Sequence, residues 1–181
     1  MTFGLTYFTS ENYILVLSHD EVVHLKCSMI NKMPGLGKDK FSNLKAGYTF
    51  MLGHPGKKLL FMGQDFGQWH EWDEKVALDW YLTKEEDHQD LQMYVRDLLH
   101  LYRRYPALFR LDNDWNGFQW VNANDGDRSI FSFIRKDETS KKNHFVCYKF
   151  HTCCAAGLPC GRAKTGQLYS ASGSDPWGHI S

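Results

Sequence analysis

The sequence predicts an α/β fold that continues into an antiparallel β region. Two short apolar runs, residues 13–17 and 59–62, lack polar alternation, which is typical of strands buried on both faces of a parallel sheet. A helical pattern lies between these runs and makes a crossover long enough for a parallel pair. Beyond Phe109, β-rich runs and turn residues replace this pattern.

Two helices are predicted from apolar residues that recur three or four positions apart. Glycine- and proline-rich segments at 34–37 and 53–56 bound the first helix, whose buried stripe is Phe41, Leu44, Tyr48 and Met51. The second helix follows a tryptophan-rich loop and ends before Pro106, and its buried stripe is Leu91, Val95, Leu98, Tyr102 and Tyr105.

The change of pattern near residue 110 predicts a domain boundary. Strands are expected at residues 118–121, 130–134 and 144–147, with a hairpin signal at 124–127. We divide the chain into an α/β part at 1–109, the start of an all-β domain at 110–150, and an aberrant tail at 151–181. No sustained period persists in this tail.

Composition and charge limit the classes of partner. Lys+Arg and Asp+Glu both number 21, so the chain lacks the basic footprint of nucleic-acid or anionic-membrane binding. No apolar run approaches the ~20 residues that span a bilayer. The five cysteines are odd in number and crowd toward the end, which argues against a disulfide framework. We predict a cytoplasmic chain with reduced thiols, for which a neutral polymer is a compatible ligand.

Polar residues at the ends of the two apolar runs are the candidate functional residues. Residues 18–21 include His19 and Asp20, and Gln64 and Asp65 follow the second run. Parallel α/β folds place catalytic groups at this edge of the sheet. A helix cap with a solvated charge pair explains the first group equally well. For the second group, the purely structural explanation is the favoured one.

Metal and aromatic patterns carry less information. His19 and His24 are five residues apart, whereas the helical zinc motif needs histidines four apart. No paired CxxC spacing joins the late cysteines Cys153, Cys154 and Cys160. We therefore predict no metal site and no cofactor. Sugar rings stack on aromatic faces, but ordinary packing also explains the cluster of Trp69, Trp72 and Trp80.

Several segments, in order, carry a resemblance to a known family. Residues 17–24 read Leu-Ser-His-Asp-Glu-Val-Val-His, and residues 32–35 read Lys-Met-Pro-Gly. Residues 54–63 read His-Pro-Gly-Lys-Lys-Leu-Leu-Phe-Met-Gly, and residues 66–69 read Phe-Gly-Gln-Trp. Together they resemble the bacterial glycogen branching enzymes of the α-amylase superfamily, glycoside hydrolase family 13. The similarity runs from about residue 1 to about residue 147.

The resemblance implies a fold and an activity. Residues 1–109 would be the seventh and eighth βα units of a (β/α)8 TIM barrel, and an incomplete all-β domain would follow. The family cleaves an α-1,4 link of a glucan with retention and transfers the chain to a 6-hydroxyl, forming α-1,6 branches in glycogen biosynthesis. Retention uses a nucleophile and a general acid/base, which lie on earlier strands of the barrel. The resemblance thus implies a C-terminal fragment of a glycosyltransferase that is inactive alone and whose partner is an α-glucan.

The resemblance also implies residue roles. Asp20 matches the third carboxylate of the superfamily, which stabilises the transition state, and His19 matches a histidine that contacts sugar hydroxyls. Further substrate-binding candidates are Gln64, Asp65 and Trp72. Two alternatives stay open, a non-catalytic glucan-binding fragment and another glycosyl hydrolase or trehalose-forming member of the superfamily. The stretch 54–69 favours a branching enzyme over the latter.

The chain departs from the family pattern in two places. Leu25 stands where the family commonly has glycine, which puts the geometry of the loop after Asp20 in doubt. The family reads Val-Cys-Asn-Phe-Thr-Pro where this chain continues beyond Cys147 with Tyr-Lys-Phe-His-Thr-Cys-Cys. A reading shifted by one base, with permitted wobble bases, is family-like at 148–154 and again at 158–163. We interpret the aberrant tail as the product of a reading-frame slip.

Overall fold

The computed structural model describes residues 12–17, 19–125, 130–137, 144–149 and 167–170. In this part the chain has a mixed α/β architecture. β1 (Ile14–Leu17), α1 (Met29–Lys32), α2 (Lys38–Gly53), β2 (Lys57–Leu60) and α3 (Glu86–Arg104) come first. Four strands follow: β3 (Phe118–Asp125), β4 (Ile130–Arg135), β5 (His144–Lys149) and β6 (Gln167–Ser170). The predicted turn at 126–127, the segment 1–11 and most of the tail lie outside the described residues.

The predicted parallel strand pair is confirmed. β1 pairs with β2 in the register Ile14 with Lys57 through Leu17 with Leu60. The prediction that both strands are buried on both faces is wrong for the described residues. Ile14 is 54% exposed and Leu59 is 41% exposed, because this sheet has only two strands in the part of the chain that is described.

The predicted helices pack on each other and form the core. All four residues of the first predicted stripe are buried on α2. On α3, Leu91, Val95 and Leu98 are buried, whereas Tyr105 lies just beyond the end of the helix. Burial of these apolar faces is the main stabilising contribution to the core. Its central cluster is Val22, Met29, Ile30, Phe41, Leu44, Tyr48, Leu52, Leu91, Val95 and Leu98.

The second part is a four-stranded antiparallel sheet in the order β3-β4-β5-β6. The three predicted strands are present, and each extends beyond its predicted range. The fourth strand, β6, lies in the tail, where the sequence predicted no element, so that prediction is wrong at Gln167–Ser170. Strand pairing is made by backbone groups, so a segment without a side-chain period can still join a sheet.

An aromatic cluster joins the α/β part to the β sheet. The ring of Phe133 on β4 contacts the rings of Phe50 and His54 at the end of α2, with centroids 6.4 and 6.5 Å apart. Phe118 and Trp120 on β3 flank Phe133 at 5.1 and 5.7 Å. Such contacts bury large apolar area at the junction. Among the described helices, none is both long enough and apolar enough to cross a membrane.

Candidate functional site

The two predicted groups of polar residues lie at one edge of the parallel pair. A short 3-10 helix, His19–Glu21, follows β1, and the turn at residues 61–67 follows β2. Since the strands run parallel, their carboxyl ends point the same way and bring these two connections side by side. Ser18 and the side chain of His19 lie outside the described residues.

Asp20 lies on the 3-10 helix and is exposed. Its backbone carbonyl accepts a hydrogen bond from Lys26 Nζ at 2.7 Å. The neighbouring Glu21 forms an ion pair with Lys32 on α1 at 3.3 Å. The 3-10 helix is therefore linked both to the loop that follows it and to α1.

Gln64 and Trp72 line a common narrow cleft next to this turn. The Gln64 side chain is buried, and its Oε1 accepts from the backbone N–H of Phe61 at 3.2 Å. The Tyr48 hydroxyl donates to the Gln64 carbonyl at 2.8 Å. Among the described residues, neither Gln64 Nε2 nor Ser28 Oγ, which also lines the cleft, has a hydrogen-bond partner. The cleft therefore offers buried polar groups beside an aromatic ring.

Asp65 lies apart from Gln64 and Trp72. Its carboxylate accepts a hydrogen bond from Gln92 Nε2 on α3 at 3.2 Å. It lines a different groove, formed with residues of α3 that include Val95, Arg96 and Leu99. The structure thus brings together two of these three candidates and separates the third.

The three clustered tryptophans have different surroundings. Trp69 packs edge-on against Phe41 and His88, with ring centroids 5.7 and 5.3 Å apart, which favours ordinary packing. Trp72 is partly buried and lies edge-on to Phe61 at 5.2 Å. Trp80 is exposed. Trp72 is therefore the tryptophan that borders both the core and the candidate cleft.

The loop after Asp20 has an unusual backbone. His24, Leu25 and Cys27 have φ angles of 56, 64 and 67°, a region that L residues other than glycine rarely adopt. Leu25 is the position where the family pattern commonly has glycine. The structure resolves the doubt about this loop, because the chain keeps a left-handed turn there despite the leucine side chain.

Glu71 is the residue of this region that sequence reasoning missed. Its Oε2 accepts from the backbone N–H of Leu25 at 2.9 Å, and its Oε1 accepts from that of Cys27 at 2.6 Å. The partners are 46 and 44 residues away in sequence, so no local pattern could pair them. The departure at Leu25 was the signal that the loop needed an external support.

Further backbone contacts join the two connections. The backbone N–H of Trp72 donates to the carbonyl of Val22 at 3.0 Å, and Asn31 Nδ2 donates to the carbonyl of Trp69 at 2.7 Å. An acidic groove opens beside this junction and is lined in part by Glu71, Asp73, Glu74 and Asp79. In the described part of the chain, no three His, Cys, Asp or Glu side chains are grouped as metal ligands would be.

Known proteins are similar in sequence to this chain over most of its length. The chain is 59% identical over 143 residues to the 1,4-alpha-glucan branching enzyme GlgB of Butyrivibrio fibrisolvens, covering 79% of this chain. The chain is a homologue of the 1,4-alpha-glucan branching enzymes. The predicted family resemblance is therefore confirmed. The branching enzymes GlgB of Nitrobacter hamburgensis and Aquifex aeolicus are 54% and 49% identical over 148 and 150 residues, covering 82% and 83% of this chain.

The chain spans only part of these branching enzymes, between 21% and 24% of their length. No model of a protein family matches the chain. A crystal structure of AmyP in complex with maltose matches 60% of this chain and 24% of its own, with 15% sequence identity and a TM-score of 0.46. A TM-score this low does not decide the fold, and the homology with the branching enzymes rests on sequence.

Proposed function

We propose that this chain forms part of the glucan site of a 1,4-α-glucan branching enzyme and that Asp20 is its third catalytic carboxylate. The observation that carries the proposal is the exposed Asp20, placed directly after β1 at the carboxyl edge of a parallel strand pair, in a homologue of branching enzymes. The enzyme would cleave an α-1,4 link and transfer the chain to a 6-hydroxyl during glycogen synthesis.

The geometry supports an electrostatic role for Asp20. Cleavage with retention passes through an oxocarbenium-like centre, which a fixed carboxylate stabilises and orients through hydrogen bonds from sugar hydroxyls. The contact from Lys26 holds the carbonyl of Asp20, and the Glu21–Lys32 ion pair links the 3-10 helix to α1, so the turn that carries the exposed Asp20 is tied at two points. His19, its neighbour, would contact sugar hydroxyls from the same turn.

Trp72 and Gln64 are proposed to border the same glucan site. Trp72 contributes an aromatic ring, and Gln64 Nε2 and Ser28 Oγ are buried polar groups in a cleft of about 10 Å³, which has room for about one water molecule. Asp65 fits the proposal less well, because it faces Gln92 and the groove on α3. We retain it as a residue that supports the turn after β2.

We further infer that β1 and β2 are the seventh and eighth strands of a (β/α)8 barrel. The exposed apolar side chains of Ile14 and Leu59 support this, since neighbouring strands and helices of a closed barrel would cover them. In this proposal residues 1–109 belong to the barrel, residues 110–150 begin a β-sandwich, and residues 151–181 form a tail that contributes β6 to the sheet.

The nucleophile and the general acid/base are proposed to come from the part of a branching enzyme that this chain does not span. The chain alone is then expected to bind α-glucans without branching or hydrolysing them. A branching assay and a maltoheptaose-binding measurement on the purified chain separate these two properties. Branching by the isolated chain, free of contaminating enzyme, would contradict this assignment.

The role of Asp20 is tested in the full-length branching enzyme of Butyrivibrio fibrisolvens. Replacing the residue equivalent to Asp20 by asparagine removes the charge and keeps the shape. We expect turnover to fall by roughly 10²–10³-fold with an unchanged thermal midpoint, as for loss of one electrostatic stabilising group. The matched control changes the residue equivalent to Asp97, an exposed carboxylate on α3, to asparagine and should leave turnover unchanged. Near-parental turnover of the asparagine enzyme would show that Asp20 has been assigned wrongly.

A further inference from the structure

We propose that Glu71 is a positioning residue for Asp20, acting through the left-handed loop at residues 24–27 and through Lys26. The inference rests on the proposed function only in naming the group that is positioned. Glu71 would thus act in the glucan site although both of its carboxylate oxygens accept hydrogen bonds from backbone N–H groups.

The loop at residues 24–27 is not held by its own side chains. His24, Leu25 and Cys27 are all exposed, and Leu25 is 94% exposed. Each also has a positive φ angle, a conformation that is unfavourable for L residues and persists only where the surroundings impose it. The loop therefore depends on contacts made by its backbone.

Glu71 supplies contacts to the backbone of this loop. Its two carboxylate oxygens accept from two different backbone N–H groups, Cys27 at 2.6 Å and Leu25 at 2.9 Å. Hydrogen bonds from amides to an ionised carboxylate are stronger than neutral ones. One side chain thus fixes two of the three left-handed residues. The backbone bond from Trp72 to Val22 holds Glu71's own segment against the same loop.

Lys26 connects the loop to Asp20. Lys26 lies between the two amides that Glu71 binds, so both of its flanking residues are fixed. Its Nζ donates to the Asp20 carbonyl at 2.7 Å. A loop that relaxes toward ordinary φ angles would turn Lys26 away and release the carbonyl. Glu71 thereby controls the backbone of the 3-10 helix that carries the Asp20 carboxylate.

The experiment uses the full 181-residue chain, labelled with ¹³C and ¹⁵N, and follows three signals. They are the exchange rates of the Leu25 and Cys27 amides and the carbonyl ¹³C shift of Asp20. In Glu71→Ala, we expect both amides to exchange at least roughly tenfold faster. The Asp20 carbonyl shift should move to the value found in Lys26→Met. Glu74→Ala, which removes an exposed carboxylate from the same loop, is the matched control and should change none of the three signals.

Two further variants separate positioning from general loss of structure. Glu71→Gln keeps one acceptor oxygen, so one amide should stay protected and the Asp20 shift should lie between the two extremes. In Glu71→Ala, the added substitution Leu25→Gly removes the cost of the left-handed residue and should restore part of the Asp20 shift. An Asp20 signal that is unchanged in both Glu71 variants while Lys26→Met moves it would overturn the proposal.

Binding of maltoheptaose provides a second, independent measurement. If the chain binds maltoheptaose, Glu71→Ala should weaken binding severalfold and the glycine substitution should recover part of it. Equal binding by Glu71→Ala and the unsubstituted chain would overturn the role of Glu71 in the site. If the unsubstituted chain does not bind, the proposed glucan site of this chain fails, whereas the Asp20 signals still decide whether Glu71 positions that residue.

Discussion

Arg135 and Asp112 form an ion pair in which both side chains are buried, with Nη2 2.7 Å from Oδ1. Arg135 also donates through Nη1 to the Gly53 carbonyl at 3.1 Å and through Nε to the Gly117 carbonyl at 3.2 Å. One guanidinium on β4 thus joins the end of α2, the linking segment and the start of the β sheet. A buried charge is tolerated only when it is paired and hydrogen-bonded, so this arrangement fixes how the two parts meet.

Breaking this pair should be strongly destabilising. Arg135→Met leaves the Asp112 carboxylate buried, with Lys57 Nζ donating to its Oδ2 at 3.0 Å. We expect the free energy of unfolding to fall by about 3–5 kcal/mol in urea denaturation. Arg135→Lys should not restore the stability, because an ammonium cannot reproduce the planar fork that reaches three acceptors.

Arg96→Met, which breaks an exposed pair with Asp97, is the control and should change stability by less than about 1 kcal/mol. A loss below about 1 kcal/mol for Arg135→Met would contradict this account.

His54 should make stability depend on pH in a defined window. Burial lowers the pKa of His54 from 6.5 to about 4, aided by the nearby charges of Lys58 and Arg135. The folded chain therefore keeps His54 neutral, while the unfolded chain binds a proton below pH 6.5. This contribution to stability is complete above pH 6.5 and is lost as the pH falls toward about 4.

The measurement is urea denaturation at several pH values between 4 and 6.5 for the unsubstituted chain and His54→Asn. The variant should show a shallower loss of stability on acidification, by at most about 1.4 kcal/mol per pH unit. Burial also lowers the pKa of Lys58, from 10.5 to about 7. The pH dependence of stability that Lys58 contributes therefore lies between pH 7 and 10.5, outside the range of this measurement. Parallel pH profiles for the two proteins would exclude His54 as the source.

The sequence predicted the elements whose signal is local. The stripe of Phe41, Leu44 and Tyr48 defines one face of α2 because helical spacing is a property of neighbouring residues. The bounds of β2 were placed two residues late. The strand begins with Lys57 and ends before Phe61, whose apolar side chain packs against Trp72. Strand ends are set by backbone pairing, which the limits of an apolar run do not reveal.

The candidate site was predictable only in part. Asp20 could be found from its position after an apolar run and from the motif around it. The support from Glu71 could not, because it joins residues more than forty positions apart through backbone amides that leave no trace in side-chain pattern. The same holds for Arg135, whose partners Gly53 and Asp112 come from two other segments.

Two glycines should respond in opposite ways to alanine. At Gly47, within α2, an added Cβ meets no atom within 4 Å, so Gly47→Ala should stabilise the chain by about 0.5–1 kcal/mol through helix propensity. At Gly67, φ is +68° and the Cβ would lie 2.9 Å from Leu91 Cδ2, so Gly67→Ala should destabilise it by about 1 kcal/mol or more. Thermal and urea unfolding of both variants check the signs. A stabilising Gly67→Ala would contradict the described turn.

The open face of β1 should bind an apolar dye in the folded chain. A groove of about 330 Å³ lies between β1 and α2 and is lined mainly by apolar residues that include Leu15, Leu17, Met33 and Phe50. Pockets of this size and lining accept small apolar ligands. We expect anilinonaphthalene sulfonate to fluoresce with about one dye per chain and to be released in the cooperative thermal transition, which distinguishes a formed groove from a molten state.

Leu17→Asp places a charge in the groove and should abolish most of the signal, whereas Val76→Asp, at an exposed position elsewhere, should leave it unchanged. Equal loss in both variants, or dye binding that persists without a cooperative transition, would show that the dye reports general exposure of the core instead of this groove.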